Sequence, residues 1–255
     1  MSALSITEDV WKKLVFLVGD IRQTHHFPWV SLAKHNHAVE YDEILEVLPK
    51  IRHGDIGLHR DWGYLSNVAI PGFMKHAWIH TEDGIENPKI VEAVSEGVIK
   101  RSAFYPMFSD YAMILRPLKV TDEERKGACK KVNRVIGTHY DVDFKFDIEE
   151  ELKYYQGIDR SAASNDLVVS QNYIQRYDHG FSCTELCSYA WWHKREALRL
   201  YRRMRRGRMA IIGDDFINNG WEIVWLSRSI TVDVAKKLGL HEEGLLIIDD
   251  YLKGK

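Results

Sequence analysis

The spacing of apolar positions divides the chain into helical ends and a strand-rich middle. In residues 10–21 the apolar side chains recur every three or four positions, which is the spacing of one helix face. A second, shorter helix is predicted for residues 41–48, because Pro49 stops the pattern there. Residues 1–50 are therefore expected to form a helical N-terminal extension.

From Gly54 onward the period shortens and turn residues become frequent. Strands are predicted for residues 55–60, 76–80, 89–94, 112–116, 167–169, 209–212 and 222–226, separated by Gly, Pro and Asp turns. The longest helix is predicted to begin near Cys183 and to end at Gly207. Antiparallel strands with helices at the two ends indicate an α+β fold. No linker interrupts the chain, so residues 51–255 and the extension are expected to form a single compact unit.

The composition narrows the class of protein. The chain has 255 residues, of which 45% are hydrophobic and 28% charged, with a formal net charge of −2. That balance excludes a disordered chain and a general coating of nucleic acid. Three cysteines are too few for a disulfide framework. With neither a signal-like start nor an apolar run of membrane-spanning length, we expect a soluble, cytoplasmic protein without a transmembrane segment.

Several common sites are absent from the sequence. It contains no dinucleotide-binding glycine motif, P-loop, serine-hydrolase elbow or zinc-protease motif. His76 and His80 would be about 13 Å apart on a strand, at ~3.3 Å per residue, and His35 and His37 have no further ligands beside them. No metal and no cofactor are therefore predicted.

Cys183 is the candidate nucleophile because it stands where the long helix is expected to begin. The partial positive charge of a helix N-terminus favours a thiolate, which is the reactive form of cysteine. His76 begins a predicted strand and could pair with the thiolate and then protonate a leaving group. Glu92 on the next strand could orient the imidazole, and Glu96 competes for that role. Taken singly, each of these residues is equally compatible with an ordinary buried or surface position.

Together, the segments carrying these residues resemble a known family. Gly54-Asp55, the Pro71-Gly72 turn before His76-Ala77, Glu92-Ala93 and Cys183-Thr-Glu-Leu186 occur in the chain order of the circularly permuted NlpC/P60 papain-like hydrolases. These are the YiiX/YebB-like cysteine hydrolases, to which lecithin:retinol acyltransferase-like enzymes are distantly similar. The resemblance extends from about residue 54 to residue 226.

The resemblance implies roles for individual residues. Cys183 would be the nucleophile, His76 the general base and acid, and Glu92 the orienting group. Trp78, Thr184 and Tyr140 stand in or beside the matching segments and are the expected substrate-binding residues. The implied fold is a permuted papain-like one, in which a small antiparallel, partly barrel-like sheet packs on the cysteine helix.

The resemblance implies no role for a basic segment late in the chain. Residues 194–208 contain eight basic residues and one acid and are expected to continue the cysteine helix. A solvated helix face explains them, and docking on an anionic surface is the alternative. The segment lacks the aromatic residues of single-strand binding, so no specific nucleic-acid partner is predicted.

Three functions are consistent with the sequence. The first is a thiol hydrolase that cleaves an amide bond in a peptide or peptidoglycan-like substrate through an acyl-enzyme intermediate. The second is a lipid ester or amide hydrolase or acyltransferase of the same fold, and the third is a catalytically idle binding module. The family resemblance favours the amide hydrolase.

Overall fold

The structure of the protein is a computed structural model. It describes residues 37–64, 67, 70–83, 86–141, 180–205 and 208–240, and the backbone of the short strands β1 (Arg22–Gln23) and β2 (Val30–Ser31). The predicted helix of residues 10–21 and the predicted strand of residues 167–169 lie outside the described residues. In this described part, no helix has both the length and the apolar character needed to cross a bilayer.

A six-stranded antiparallel sheet forms the centre of the molecule. Its strands are β3 (Ile56–Arg60), β4 (His76–Glu82), β5 (Lys89–Val94), β6 (Gly97–Ser102), β7 (Tyr111–Pro117) and β10 (Trp221–Leu226). Their order across the sheet is β10-β7-β3-β4-β5-β6. The sheet is open, with β10 and β6 as its edges, so the expected partial barrel is not confirmed.

Helices cover both faces of this sheet. They are α1 (Tyr41–Val47), α2 (Phe104–Met107), α3 (Asp122–Arg134), α4 (Cys183–Trp191) and α5 (Val232–Lys237). The larger apolar cluster joins α3 and α4 to one face of the sheet through residues such as Leu58, Ile79 and Leu186. The smaller cluster joins α1 to the other face around Trp78 and Ile114.

Gly57 shows how closely the central strands pack. It is paired with Trp78 across β3 and β4, and a Cβ added at Gly57 would lie 2.0 Å from the indole ring. Only a residue without a side chain allows the ring to lie flat over β3. Trp78 is consequently 1% exposed.

The sequence predicted most of this architecture. The α+β class and the strands from β3 to β5, β7 and β10 are confirmed, with bounds that differ by one or two residues. Strand β6 and helix α3 were not predicted. Residues 39–51 belong to the sheet-packing core, whereas β1 and β2 pair as strands within the segment expected to be helical. The division at residue 50 stays a prediction.

The basic segment does not continue the cysteine helix, so that prediction is wrong. Helix α4 ends at Trp191, a single 3-10 turn follows over Trp192–Lys194, and the chain then forms turns. Short strands β8 (Arg203–Arg205) and β9 (Arg208–Ala210) pair with each other. Leu198 and Leu200 are both buried, a two-residue spacing that a helix cannot place on one face.

Candidate active site

Cys183 is the first residue of helix α4. Ser182 stands at the N-cap position, and its backbone N–H donates to the carboxylate of Glu185 at 2.8 Å. Cys183 is 5% exposed, and its Sγ atom lies 4.0 Å from the backbone oxygen of Lys75. The start of the helix therefore places the sulfur beside the residue that precedes strand β4.

His76 and Glu92 meet across two neighbouring strands. His76 begins β4, and Glu92 on β5 is paired with Trp78, which follows His76 by two residues on β4. Residues two apart on a strand point to the same side, so the His76 and Glu92 side chains lie on the same face of the sheet. The His76 Nε2 and Glu92 Oε2 atoms are 2.7 Å apart, and Glu92 is fully buried. This is the contact that holds the imidazole in a fixed orientation.

His76 also lies close enough to Cys183 for the charge of Cys183 to raise its pKa. Burial by itself lowers the pKa of His76, but the charges of Cys183 and Glu92 and the hydrogen bond to Glu92 outweigh it and raise this pKa to about 10. The imidazole is thus held in its protonated form at neutral pH.

Glu92 is kept ionised by two cationic neighbours. Burial alone raises its pKa, yet the hydrogen bond and charge of His76, together with the charge of Arg101, bring the pKa below its ordinary value. Arg101 forms an ion pair with Glu92 from strand β6 and lies over the ring of Tyr105 at 4.3 Å. Arg101 was not predicted as part of the site, because residues 97–102 lack a clear apolar alternation and β6 was not predicted.

A second histidine, His59, packs beside His76 in the candidate site. It is the strand partner of His76, and the two ring centroids are 4.9 Å apart. Burial, and then the charges of His76 and Arg101, lower the pKa of His59 well below its usual value. His59 is therefore neutral where His76 is charged, and its ring covers one side of the imidazolium.

The loop before His76 is fixed by Asp214. Both carboxylate oxygens of Asp214 accept backbone hydrogen bonds, from Phe73 at 2.6 Å and from Met74 at 2.8 Å. Gly72 has a φ of +88°, and a Cβ there would lie 2.9 Å from the Asp214 carboxylate. The turn thus requires glycine, and it sets the position of the Lys75 carbonyl beside Cys183.

The three expected substrate-binding residues have different locations. Trp78 is a core residue on the α1 side of the sheet and does not reach a surface. Thr184 has the only half-buried side chain of helix α4; the others are buried. Tyr140 is half-buried, and its pKa is raised by burial and further by the charges of Cys183 and Glu185. Of the three, Thr184 and Tyr140 are half-buried and Trp78 is buried, and the role of Thr184 and Tyr140 in substrate binding stays a prediction.

The remaining candidates lie away from this constellation. Glu96 is exposed in the turn between β5 and β6, so it does not compete for His76. Burial raises the pKa of Cys129 to about 12 and that of Cys187 well above its ordinary value. Among the described residues, no group of three or more His, Cys, Asp or Glu side chains could hold a metal ion.

Comparison with known proteins gives one distant relationship. No protein-family model and no curated protein matches the chain. The crystal structure of metalloprotein yiiX from Escherichia coli O157:H7, DUF1105, is similar with a TM-score of 0.45 and 11% identity, over 68% of this chain and 96% of that one. The chain thus has a distant structural similarity to YiiX, and the permuted papain-like arrangement stays a prediction.

Proposed function

We propose that the protein is a thiol hydrolase that cleaves an amide bond through a Cys183–His76–Glu92 constellation. The observation that carries this proposal is the 2.7 Å contact between the Glu92 carboxylate and the His76 ring, together with the position of Cys183 close enough for its charge to raise the pKa of His76. An activated cysteine requires a base beside it and a third group that orients the base.

The chemistry follows from the charges of these groups. The Cys183 thiolate attacks the substrate carbonyl carbon, and a C–S bond forms while the carbonyl electrons move to oxygen. Backbone N–H groups at the start of α4 point toward this developing oxyanion. Collapse of the intermediate breaks the C–N bond, and the His76 imidazolium gives its proton to the leaving amine.

The same residues release the acyl group, and His76 now acts as a base instead of an acid. Neutral His76 takes a proton from water, the hydroxide attacks the thioester carbon, and the C–S bond breaks to restore the thiolate. Glu92 keeps its hydrogen bond to Nε2 throughout, so the ring returns to the imidazolium form without reorienting. A peptide or peptidoglycan-like amide is the proposed substrate class, on the family resemblance.

A second candidate function is lipid ester or amide hydrolysis or acyl transfer. The observation that favours it is an exposed surface of arginine and apolar side chains on the segment that follows α4, including Met204, which is 64% exposed. The same nucleophile would then act on an acyl chain at a membrane surface.

Turnover assays separate these functions. Short peptides and peptidoglycan fragments are incubated with the protein in parallel with phospholipid vesicles, using wild type, Cys183→Ala and the control Cys129→Ala. The proposal predicts amide cleavage that Cys183→Ala abolishes and Cys129→Ala retains. Cleavage of lipid alone favours the second function. Failure of every substrate together with equal iodoacetamide labelling of all three cysteines indicates the idle module.

A further inference from the structure

We propose that the protein docks on anionic lipid bilayers through an exposed surface formed by Arg199, Tyr201, Arg203 and Met204. We call this group the arginine–methionine surface. The proposal goes beyond the proposed hydrolase and does not depend on it, because it concerns binding and none of these residues belongs to the Cys183 site.

The segment before β8 is held firmly by its alternate residues. Leu198 and Leu200 are buried at 0% and 1% exposure, and the Trp221 indole N–H donates to the Leu198 carbonyl at 3.1 Å. The residues between and after them point outward: Arg199 is exposed, and Tyr201 is 46% exposed. The backbone therefore presents these two side chains to solvent from a fixed base.

Strand β8 adds a further cation and a further apolar group. The Arg203 side chain is 62% exposed, and Met204 is 64% exposed. Arg203 and Met204 are consecutive in β8, so their side chains leave opposite faces of the exposed hairpin and a bilayer would contact both. Arginine beside protruding methionine and tyrosine is the composition of surfaces that enter the headgroup region of a bilayer.

The segment of residues 194–208 has an excess of positive charge in its sequence. Its described ion pairs are Lys194 with Glu124, Arg203 with Asp215 at 3.7 Å, and Arg195 with the neighbouring Glu196 at 3.8 Å. Exposed pairs at such distances are weak. Eight basic residues against one acid therefore attract anionic headgroups, even though the whole chain carries a formal charge of −2.

Lipid fits this surface better than nucleic acid does. Phosphates of either partner would satisfy the arginines, but single-strand binding stacks successive bases on successive aromatic side chains, whereas this surface has the single ring of Tyr201 and the thioether of Met204. A thioether gains more by entering the acyl boundary of a bilayer, where methylene groups replace water around it. Lipid and nucleic acid both carry phosphate groups, so the apolar side chains are what favours lipid as the partner.

The arginine–methionine surface is linked to the candidate site by two consecutive acids. Asp215 pairs with Arg203, and Asp214 accepts the hydrogen bonds that fix Phe73 and Met74, just before His76. A bilayer contacting Arg203 would therefore lie near the loop that borders the cysteine.

Vesicle sedimentation tests the proposal with the full chain. Phosphatidylcholine vesicles and vesicles with roughly a third phosphatidylserine are compared at low and high salt. Each basic residue near an anionic surface contributes about fivefold in affinity, so Arg203→Glu and Arg199→Glu are each expected to weaken binding by roughly tenfold or more. Met204→Ser should weaken binding several-fold. Lys50→Glu and Leu45→Ser, on the α1 side, are the matched controls and should bind like wild type.

The outcomes are distinguishable from those of the hydrolase tests. Cys183→Ala should bind vesicles as wild type does, whatever its activity. Salt-sensitive binding to phosphatidylserine vesicles that the arginine and methionine variants lose supports the proposal. It is overturned by equal binding to both vesicle types, by wild-type binding of those variants, or by binding to single-stranded RNA without binding to vesicles.

Discussion

Replacing Glu92 by glutamine should lower the pKa of His76. Glutamine keeps the shape of the side chain and an oxygen that can accept from Nε2, but it removes the negative charge 2.7 Å from the ring. Glu92 and Cys183 are the groups that raise the pKa of His76 to about 10 against the effect of burial. In Glu92→Gln only Cys183 still opposes burial.

The size of the shift follows from the interaction that is lost. A hydrogen bond to a charged group contributes about 1.5–3 kcal/mol, and one pKa unit corresponds to about 1.4 kcal/mol. The pKa of His76 should therefore fall by about one to two units. Arg101, which loses its partner in the same variant, repels the imidazolium and acts in the same direction.

Nuclear magnetic resonance measures this pKa directly. The His76 Cε1–H signal, assigned by its loss in His76→Gln, is followed from neutral to strongly alkaline pH in wild type and Glu92→Gln. Glu96→Gln is the matched control, since Glu96 is exposed in the adjacent turn and should leave the titration unchanged. An unchanged His76 pKa in Glu92→Gln would refute the reasoning that the carboxylate stabilises the imidazolium.

Three further predictions concern stability. Asp55→Asn should lower the free energy of unfolding by about 3–5 kcal/mol in urea titrations, because fully buried Asp55 pairs with both Arg116 and Arg125. Asp122→Asn, whose exposed carboxylate pairs with Lys126 and His53, should cost much less, and equal losses would contradict the argument. Gly57→Ala should destabilise the protein by about 1–3 kcal/mol because its Cβ would overlap Trp78. Gly127→Ala, in helix α3, should be neutral or stabilising by up to about 1 kcal/mol, because no atom lies within 4 Å of the added Cβ. Thermal unfolding of both variants checks the sign of each change in stability. Finally, the folded pKa of His76 is about 10 against an ordinary 6.5, so its contribution to stability is complete below pH 6.5 and is lost as the pH rises through about 10. The unfolding free energy of wild type should fall more over that interval than that of His76→Gln, and parallel curves would contradict the raised pKa.

The three candidate catalytic residues could be predicted because their signals are local. Cys183 stands at a helix start that the apolar pattern marks, and His76 and Glu92 stand on adjacent strands that turn residues delimit. Strand neighbours facing the same side meet whatever the rest of the fold does. The sequence could therefore place this constellation without knowing the strand order.

The surroundings of the constellation depend on contacts that no local pattern encodes. Arg101 reaches Glu92 from β6, which ends in Lys100-Arg101-Ser102 and lacks a clear apolar alternation. Asp214 holds a loop 140 residues earlier in the chain. Trp78 was expected in the cleft because it is near His76 in sequence; it shares a face of the sheet with His76, but its ring packs over Gly57 in the core.

The basic segment shows a second limit of sequence patterns. Its apolar residues fit a helix by spacing alone, yet Leu198 and Leu200 are both buried and Arg199 between them has a φ of +54°. Tertiary packing overrides helix propensity in such a segment. Helix α3, in contrast, was not predicted, although Thr121 and Glu124 form a capping box at its start.

The rate at which iodoacetamide alkylates Cys183 at neutral pH, with and without His76, tests the central claim most directly. Mass spectrometry of the Cys183 peptide gives this rate in wild type and His76→Asn, and the Cys129 peptide serves as the internal reference. An ordinary thiol is only a few per cent ionised at neutral pH, so loss of the imidazolium should slow the reaction of Cys183 by on the order of tenfold while Cys129 reacts unchanged. Equal rates for Cys183 in the two proteins would contradict the thiolate–imidazolium pair on which the proposed hydrolase depends.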